Sequence, residues 1–245
     1  METTIRKMIL ESAYYAKHGH MPSALCIVEI MCAYDKIRTS NDEFILSKGH
    51  GCLAYYAYLV EKGLLQFEEL KSFGKKGSRL GGHPDKNKVP EVYASTGSLG
   101  QGFPMAVGAA LARKINGKPG KIFCLVGDGE CNEGTIWESL QMAVKLDLDN
   151  IICIVDVNNS QVRSLPTSNI ANKFKAFGWN TEELDGHDID SLVKAMSSQD
   201  FKGPKAIIAN TIKGKGFSKL EEDMFAWHHR APTDEEYLEF LEELK

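Results

Sequence analysis

The sequence lacks an excess of charge of either sign. Twenty-nine Lys and Arg stand against 33 Asp and Glu in 245 residues, a net charge of −4. Nucleic acid or an anionic membrane surface would find no field to attract it, and any phosphate-bearing ligand must be held by a local site. It also lacks apolar runs of membrane-spanning length. The opening METTIRKMILESAYYAKHGH mixes charges into its apolar positions. That excludes a signal-peptide core and points to a cytoplasmic protein. There is no C-x-x-C pair. Cys26, Cys32, Cys52, Cys124, Cys131 and Cys153 lie mostly in apolar stretches and are expected to be reduced, buried thiols. No internal repeat, low-complexity tract or interdomain linker is visible.

What is present is an ordinary globular composition, 43% hydrophobic and 25% charged, in a length that suits one large α/β domain spanning residues 1–245. Residues 3–17 place Ile5, Ile9, Ala13 and Ala16 at helical spacing. Ser23 is a candidate cap for a helix running to about residue 36. A loop and a short extended piece lead to SKGHG at 47–51, followed by a helix to about residue 63. Residues 74–98, rich in Gly, Lys and Pro, read as a long loop, and loops of that length in compact domains usually serve a function. A helix with many small residues covers 101–116. Short apolar runs at 121–126 and 151–155 flank a helix at 133–146, and further strands at 179–184 and 205–210 flank a helix at 188–197. A charged helix is expected at 233–244. Short apolar strands separated by helices indicate a mostly parallel sheet with helices on both faces.

The chemistry concentrates at two strand ends. Val126-Gly127-Asp128-Gly129-Glu130 follows the first buried run and Asp156-Val157-Asn158-Asn159-Ser160 follows the second. The interval holds one helix and one strand, so Asp128 and Asn158 should emerge at the same carboxyl edge, where open α/β sheets bind ligands. A carboxylate, an amide oxygen and a backbone carbonyl, that of Ser160, form a hard-oxygen set suited to Mg2+ gripping a diphosphate. Gly127 and Gly129 allow close backbone approach, and the helix that follows offers its N-terminus to the anion.

The stretch GDGECNEGTIWESLQMAVKLDLDNIICIVDVNNSQ resembles the thiamine diphosphate motif of transketolases, which begins with G-D-G and ends with Asn. LSKGH at 46–50, GGHP at 81–84, STGSLGQG at 95–102, DGHD at 185–188, TIKGKG at 211–216 and WHHRAP at 227–232 resemble transketolase segments in the family's order, so the likeness covers nearly the whole chain. The resemblance implies a thiamine diphosphate-binding fold, ketol transfer, and the cofactors thiamine diphosphate and Mg2+, with Ca2+ or Mn2+ as substitutes. It implies that His20 and His83 contact the donor's hydroxyls, while His50 and His228 lie nearer the cofactor. Gly97 and Leu99 would lend backbone to the cofactor site and Lys213 would stand near the diphosphate. Glu133 would join a carboxylate network at a dimer interface, its alternative being a plain first-turn carboxylate favoured by the helix dipole. Imidazole suits both hydroxyl binding and proton movement near neutral pH. His20 departs from the family's G-H-P-G in having Met21 where proline stands. His18 and His229 receive no role, and His187 reads as structural.

In transketolases the glutamate that activates the cofactor belongs to a second, pyrimidine-binding domain, for which 245 residues leave no room. The resemblance therefore implies the N-terminal subunit of a split transketolase. Pyrimidine-binding and C-terminal domains are expected on a separate chain, in an α2β2 heterotetramer acting on sugars or sugar phosphates. Two rivals remain. An α subunit of a thiamine diphosphate-dependent 2-oxo acid decarboxylase or dehydrogenase would share the Asp and Asn pair but not the SKGH, GGHP and KGKG segments together. A non-catalytic subunit that kept the fold would have no need of the histidines.

Overall fold

Each core strand must bury both of its faces, and the computed structural model shows how. It describes residues 1–163, 165–198 and 202–244. Strands β1 (Glu43–Leu46), β2 (Ile122–Gly127), β3 (Ile151–Val157), β4 (Asn180–Asp185) and β5 (Lys205–Asn210) form one sheet in the order β1-β2-β3-β5-β4, every neighbouring pair parallel. Side chains alternate between faces with the two-residue period of a strand. Phe123, Leu125, Ile152 and Ile154 join one core cluster, whereas Cys124, Val126, Cys153 and Val155 join the other. Helices α1 (Glu2–Ala16), α3 (Val28–Ile37), α4 (Cys52–Glu61), α9 (Ile189–Ser197) and α11 (Asp234–Glu243) cover the first face. Helices α6 (Gly102–Ile115), α7 (Gly134–Lys145) and α8 (Ile170–Ala176) cover the second. The expected parallel α/β sheet is observed, and all six cysteines are free and buried. Among the described residues, no helix is long and apolar enough to cross a membrane.

Three short helices escaped the sequence reading: α5 (Phe67–Leu70), α8 and α10 (Ser218–Glu222), with four, seven and five residues. Segments this short carry too few turns to display a 3.6-residue period. The extended piece before SKGH is the edge strand β1. The expected single helix from Ser23 to about residue 36 is a correction of more consequence. The chain forms α2 (Met21–Leu25), breaks at Cys26 and Ile27, and resumes as α3. Ser23 lies inside α2 and caps nothing. At the break the Ile27 N–H turns to the Ala24 carbonyl at 3.3 Å. The Ser23 carbonyl accepts instead from Lys48 Nζ at 3.1 Å and from Cys26 Sγ at 3.3 Å. A continuous helix would have used that carbonyl internally.

The long loop is ordered by its own polar contacts. Arg79 bridges Glu69 and Glu91. The Tyr56 hydroxyl lies 3.1 Å from the Gly81 carbonyl and 3.0 Å from that of His83. These contacts carry GGHP and STGSLG toward the carboxyl edge of the sheet.

Candidate active site

Strands β2 and β3 run side by side with Gly127 opposite Asp156, so Asp128 and Asn158 leave the sheet at adjoining tips. Both are buried, and together with Gly127, Gly129, Ser160, His20, His50, Leu99 and His228 they line a cleft of about 270 Å3. Asp128 Oδ1 accepts from the Gly129 N–H at 2.7 Å. Asp128 Oδ2 is buried and, in this structure, without a hydrogen-bond partner. Burial, and then the negative charge of Asp156, raise the Asp128 pKa above its usual value. A buried carboxylate oxygen left bare is costly unless something outside the chain completes it, and a divalent cation does so. Asn158 Oδ1 accepts from the Ser160 N–H at 3.0 Å. Neither Gly127 nor Gly129 has a positive φ, and a Cβ on either would come no closer than 3.6 Å to another residue. Turn and packing therefore do not demand glycine there; what both leave open is the cleft. The segment directly after Asp128 is a single 3-10 turn, Gly129–Asn132, with α7 beginning only at Gly134. The expected long helix N-terminus thus stands one turn away. The structure fits a cation and diphosphate by its donors: one carboxylate, one amide oxygen and open backbone. Among the described residues no group of three His, Cys, Asp or Glu side chains could hold a metal by itself, so phosphate oxygens would have to share the coordination.

The histidines converge from four segments. His20 stands 5.4 Å, ring to ring, from His50 and 5.3 Å from His228. Desolvation, with help from neighbouring positive groups, lowers the pKa of His20 to about 4 and that of His50 to about 3. Burial lowers His83 and His228 as well. These imidazoles are neutral near pH 7, able to accept and donate hydrogen bonds in the same site. His228 Nδ1 lies 3.1 Å from Lys213 Nζ, and burial lowers the pKa of that lysine. His83 packs on backbone: a Cβ at Gly97 would stand 2.9 Å from its ring, and one at Gly49 would stand 3.0 Å from it. Met21 does not disturb His20. It opens α2, with Pro22 in the first turn. His18 and His229 join the cluster from outside, His229 lying 4.5 Å from His20 and 5.8 Å from His18. Glu133 is not brought into the cleft; it is exposed at the start of α7 beside Gly100. His187 is structural, with Nδ1 3.0 Å from Glu29 and Nε2 accepting from the Ile212 N–H at 2.8 Å.

His20 and His50 bind protons at an ordinary 6.5 when unfolded but only near about 4 and about 3 when folded. Their contribution is present above pH 6.5 and is lost as the pH falls toward those folded values. For His50, screened at its exposed edge, the loss by about pH 5 is about 1–2 kcal/mol. Calorimetric Tm should fall between about pH 7 and about pH 5, and a His20→Asn/His50→Asn variant should fall less. An equal fall in both proteins would refute this origin.

Sequence reasoning missed a second set of polar residues at the floor of the cleft, of which Lys48 and Glu130 also line it. Glu130 is buried; its carboxylate accepts from Ser47 Oγ, from the Gly100 N–H at 2.9 Å and from the Gly127 N–H at 3.3 Å, tying together SKGH, STGSLG and G-D-G. Asp156 and Lys48 form a fully buried ion pair, joined by Thr211 Oγ1. Burial pushes the Asp156 pKa up, but Lys48 outweighs it and holds this carboxyl below its usual value. The available signal was position: Lys48 lies inside SKGH, and Asp156 is the one polar residue of an otherwise apolar strand.

The sequence matches the transketolase thiamine diphosphate binding domain over residues 1–243. The chain belongs to the transketolase family. It is 39% identical to an apulose-4-phosphate transketolase subunit of Actinobacillus succinogenes, over 98% of this chain and 92% of that protein. It is 37% identical to the 6-deoxy-6-sulfo-D-fructose transketolase subunit SqwG of a Clostridium species, over 98% of this chain and 94% of that one. Solved transketolases from Campylobacter jejuni and Leishmania mexicana share its fold with TM-scores of 0.89 and 0.88, each at 28% identity. They match 99% of this chain but only 42% and 40% of their own. The chain is thus a transketolase-type transferase component, which separates it from the 2-oxo acid enzymes that share the Asp and Asn pair.

Proposed function

We propose that this transketolase chain is the diphosphate-binding subunit of a two-chain, cytoplasmic enzyme. The enzyme transfers a two-carbon ketol unit from a ketose or ketose phosphate to an aldose. The observation that carries the reading is the bare, buried Asp128 Oδ2 beside Asn158 at adjoining strand tips. Asp128, Asn158 and the Ser160 carbonyl hold Mg2+, or Ca2+ or Mn2+ in its place, and through it the cofactor's diphosphate. Gly127 and Gly129 let the diphosphate approach, Lys213 and His228 stand beside it, and Gly97, Leu99 and His50 shape the cofactor site. Thiamine diphosphate, when bound, supplies the carbanion-stabilising chemistry. The chain's part is to position and to move protons: neutral His20, His50, His83 and His228 hold donor hydroxyls and exchange protons with them. Glu133, exposed beyond the cleft, meets a second copy of the subunit.

A separate C-terminal subunit carrying the pyrimidine-binding domain completes the enzyme in an α2β2 assembly. The lengths support this, since the chain spans nearly all of two proteins named as subunits and about two-fifths of undivided transketolases. So do apolar side chains left in the open: Leu99, which lines the cleft, stays 37% exposed, and Val162, next in the chain to the cleft's Gln161, stays 53% exposed. Exposed apolar side chains at a polar cleft suit coverage by a partner. The relatives' named substrates support a specialised sugar rather than a common pentose phosphate. In the test, the chain is mixed with its partner subunit, thiamine diphosphate and Mg2+, then offered common, branched and sulfonated ketose donors. Turnover is expected only with the partner; robust turnover by the chain alone would sink the split assembly, and exclusive use of common pentose phosphates would sink the specialised role.

A further inference from the structure

A primary amide has two ends of nearly equal shape, and only its partners decide which end faces a ligand. For Asn158 that decision bears on function, because an oxygen can bind a cation and an NH2 group cannot. The Nδ2 end donates to Asp156 Oδ2 at 2.7 Å and lies 3.5 Å from Cys26 Sγ. The Oδ1 end accepts from the Ser160 N–H at 3.0 Å. Lys48, Cys26 and Thr211 all donate to the Asp156 carboxylate, so Asp156 meets Asn158 as an acceptor, takes the NH2 end on its own side and leaves the oxygen on the side of Ser160 and the cleft. Asp156 is wholly buried and has its other oxygen engaged by Thr211 Oγ1. Lys48, equally buried, lies on the same Oδ2 and is itself held by the Ser23 carbonyl. That carbonyl is free because the helix breaks after α2.

We propose that Asp156 and Lys48 are the positioning residues of the cation clamp. Asp156 fixes the Asn158 amide with its oxygen toward the cation, and Lys48, donating to the same Asp156 oxygen, holds that carboxylate in place. The inference rests on reading Asp128 and Asn158 as that clamp. Asp156, wholly buried, acts through Asn158, and Lys48, which lines the cleft but turns its ammonium to Asp156, acts through Asp156. An outer partner of this kind typically carries about 10- to 100-fold in metal affinity.

The test is Mn2+ binding, read by electron paramagnetic resonance in the presence of thiamine diphosphate on the assembled two-subunit enzyme, with Tm measured alongside. Asp156→Asn can present either end of its amide to Asn158, so the orientation rests on Ser160 alone. Mn2+ affinity should drop about 10- to 100-fold. The double variant Lys48→Met/Asp156→Asn removes both charges and should recover Tm relative to Lys48→Met alone, yet keep the weak Mn2+ binding. Lys48→Arg, which retains the charge, should bind nearly as the wild type does. Recovery of Mn2+ affinity together with Tm in the double variant would show a merely structural role and overturn the proposal, as would unchanged affinity in Asp156→Asn. A wild-type enzyme that binds no Mn2+ would instead overturn the clamp itself.

Discussion

Asp128→Asn is expected to remove ketol transfer while leaving the ligand-free chain as stable as the wild type, or more so. The two effects have one cause. Asp128 is 1% exposed and its Oδ2 has no partner, so the ionised side chain is a liability in the empty fold. Its folded pKa is raised above the ordinary 3.8 by burial and by Asp156. A group shifted upward stabilises the fold below its unfolded pKa and loses that contribution as the pH rises through its folded value, so at neutral pH it counts against folding. Asparagine keeps the Gly129 contact and drops the charge. Relief of the buried charge is expected to stabilise the ligand-free chain by about 1 kcal/mol. With Mg2+ and thiamine diphosphate the order should reverse. Ligand at about 100 times its Kd stabilises the wild type by about 2.7 kcal/mol, and the variant should show almost none of that rise. Loss of one hard anionic ligand costs several kcal/mol of binding and catalysis, about 1000-fold in rate. Scanning calorimetry with and without the ligands, beside a turnover assay, checks both halves. A variant that still responds to the ligands would remove Asp128 from the clamp.

Lys48→Met should have the largest effect on stability. Lys48 and Asp156 are 1% and 0% exposed at their side chains, and methionine matches the lysine stem in volume. The methionine packs well enough; the harm comes from the carboxylate left behind, stranded among Cys26, Asn158 and Thr211. Breaking a buried pair from one side typically costs about 3–5 kcal/mol, a large part of the roughly 5–15 kcal/mol that stabilises a domain. The pH behaviour gives a second handle. In the wild type, Lys48 holds Asp156 below its ordinary 3.8, so this stabilisation is present above that value and is lost as the pH falls through the lower folded pKa. In Lys48→Met the Asp156 pKa should rise, and mild acidification should recover stability in place of costing it. Guanidinium unfolding at neutral and mildly acid pH measures both. A loss under about 1 kcal/mol would mean that water or a rearranged neighbour satisfies Asp156.

Much of the fold was legible in the residues. The apolar run at 121–126 became β2, that at 151–155 became the core of β3, and β5 occupies the expected 205–210. An uninterrupted run of β-branched and apolar residues between helical stretches has few other solutions than a strand covered on both faces. The helices at 133–146 and 233–244 emerged within a residue or two, the latter capped by Thr233 with Glu236 returning to the Thr233 N–H. Less legible was the stretch around Ser23, where apolar periodicity runs unbroken through a helix that in fact stops. No local preference at Cys26 or Ile27 announces the break. What uses the break is Lys48, 25 positions from Ser23, whose ammonium takes the carbonyl that the break frees.

The same division runs through the site. That Asp128 and Asn158 end two parallel strands at one edge could be read from the residues alone, because strand length and the helix between the strands are written in local hydrophobic period, which acts over a few residues. What surrounds them is set by long-range packing. Cys26, Lys48, Asp156 and Thr211 come from four separate segments, the lysine 108 positions from its aspartate, and His18 and His229 meet from opposite ends of the chain. A charge removed from water must find its partner wherever the packed chain brings one within reach. That choice depends on how whole elements stack, and no residue's immediate neighbours along the chain record it.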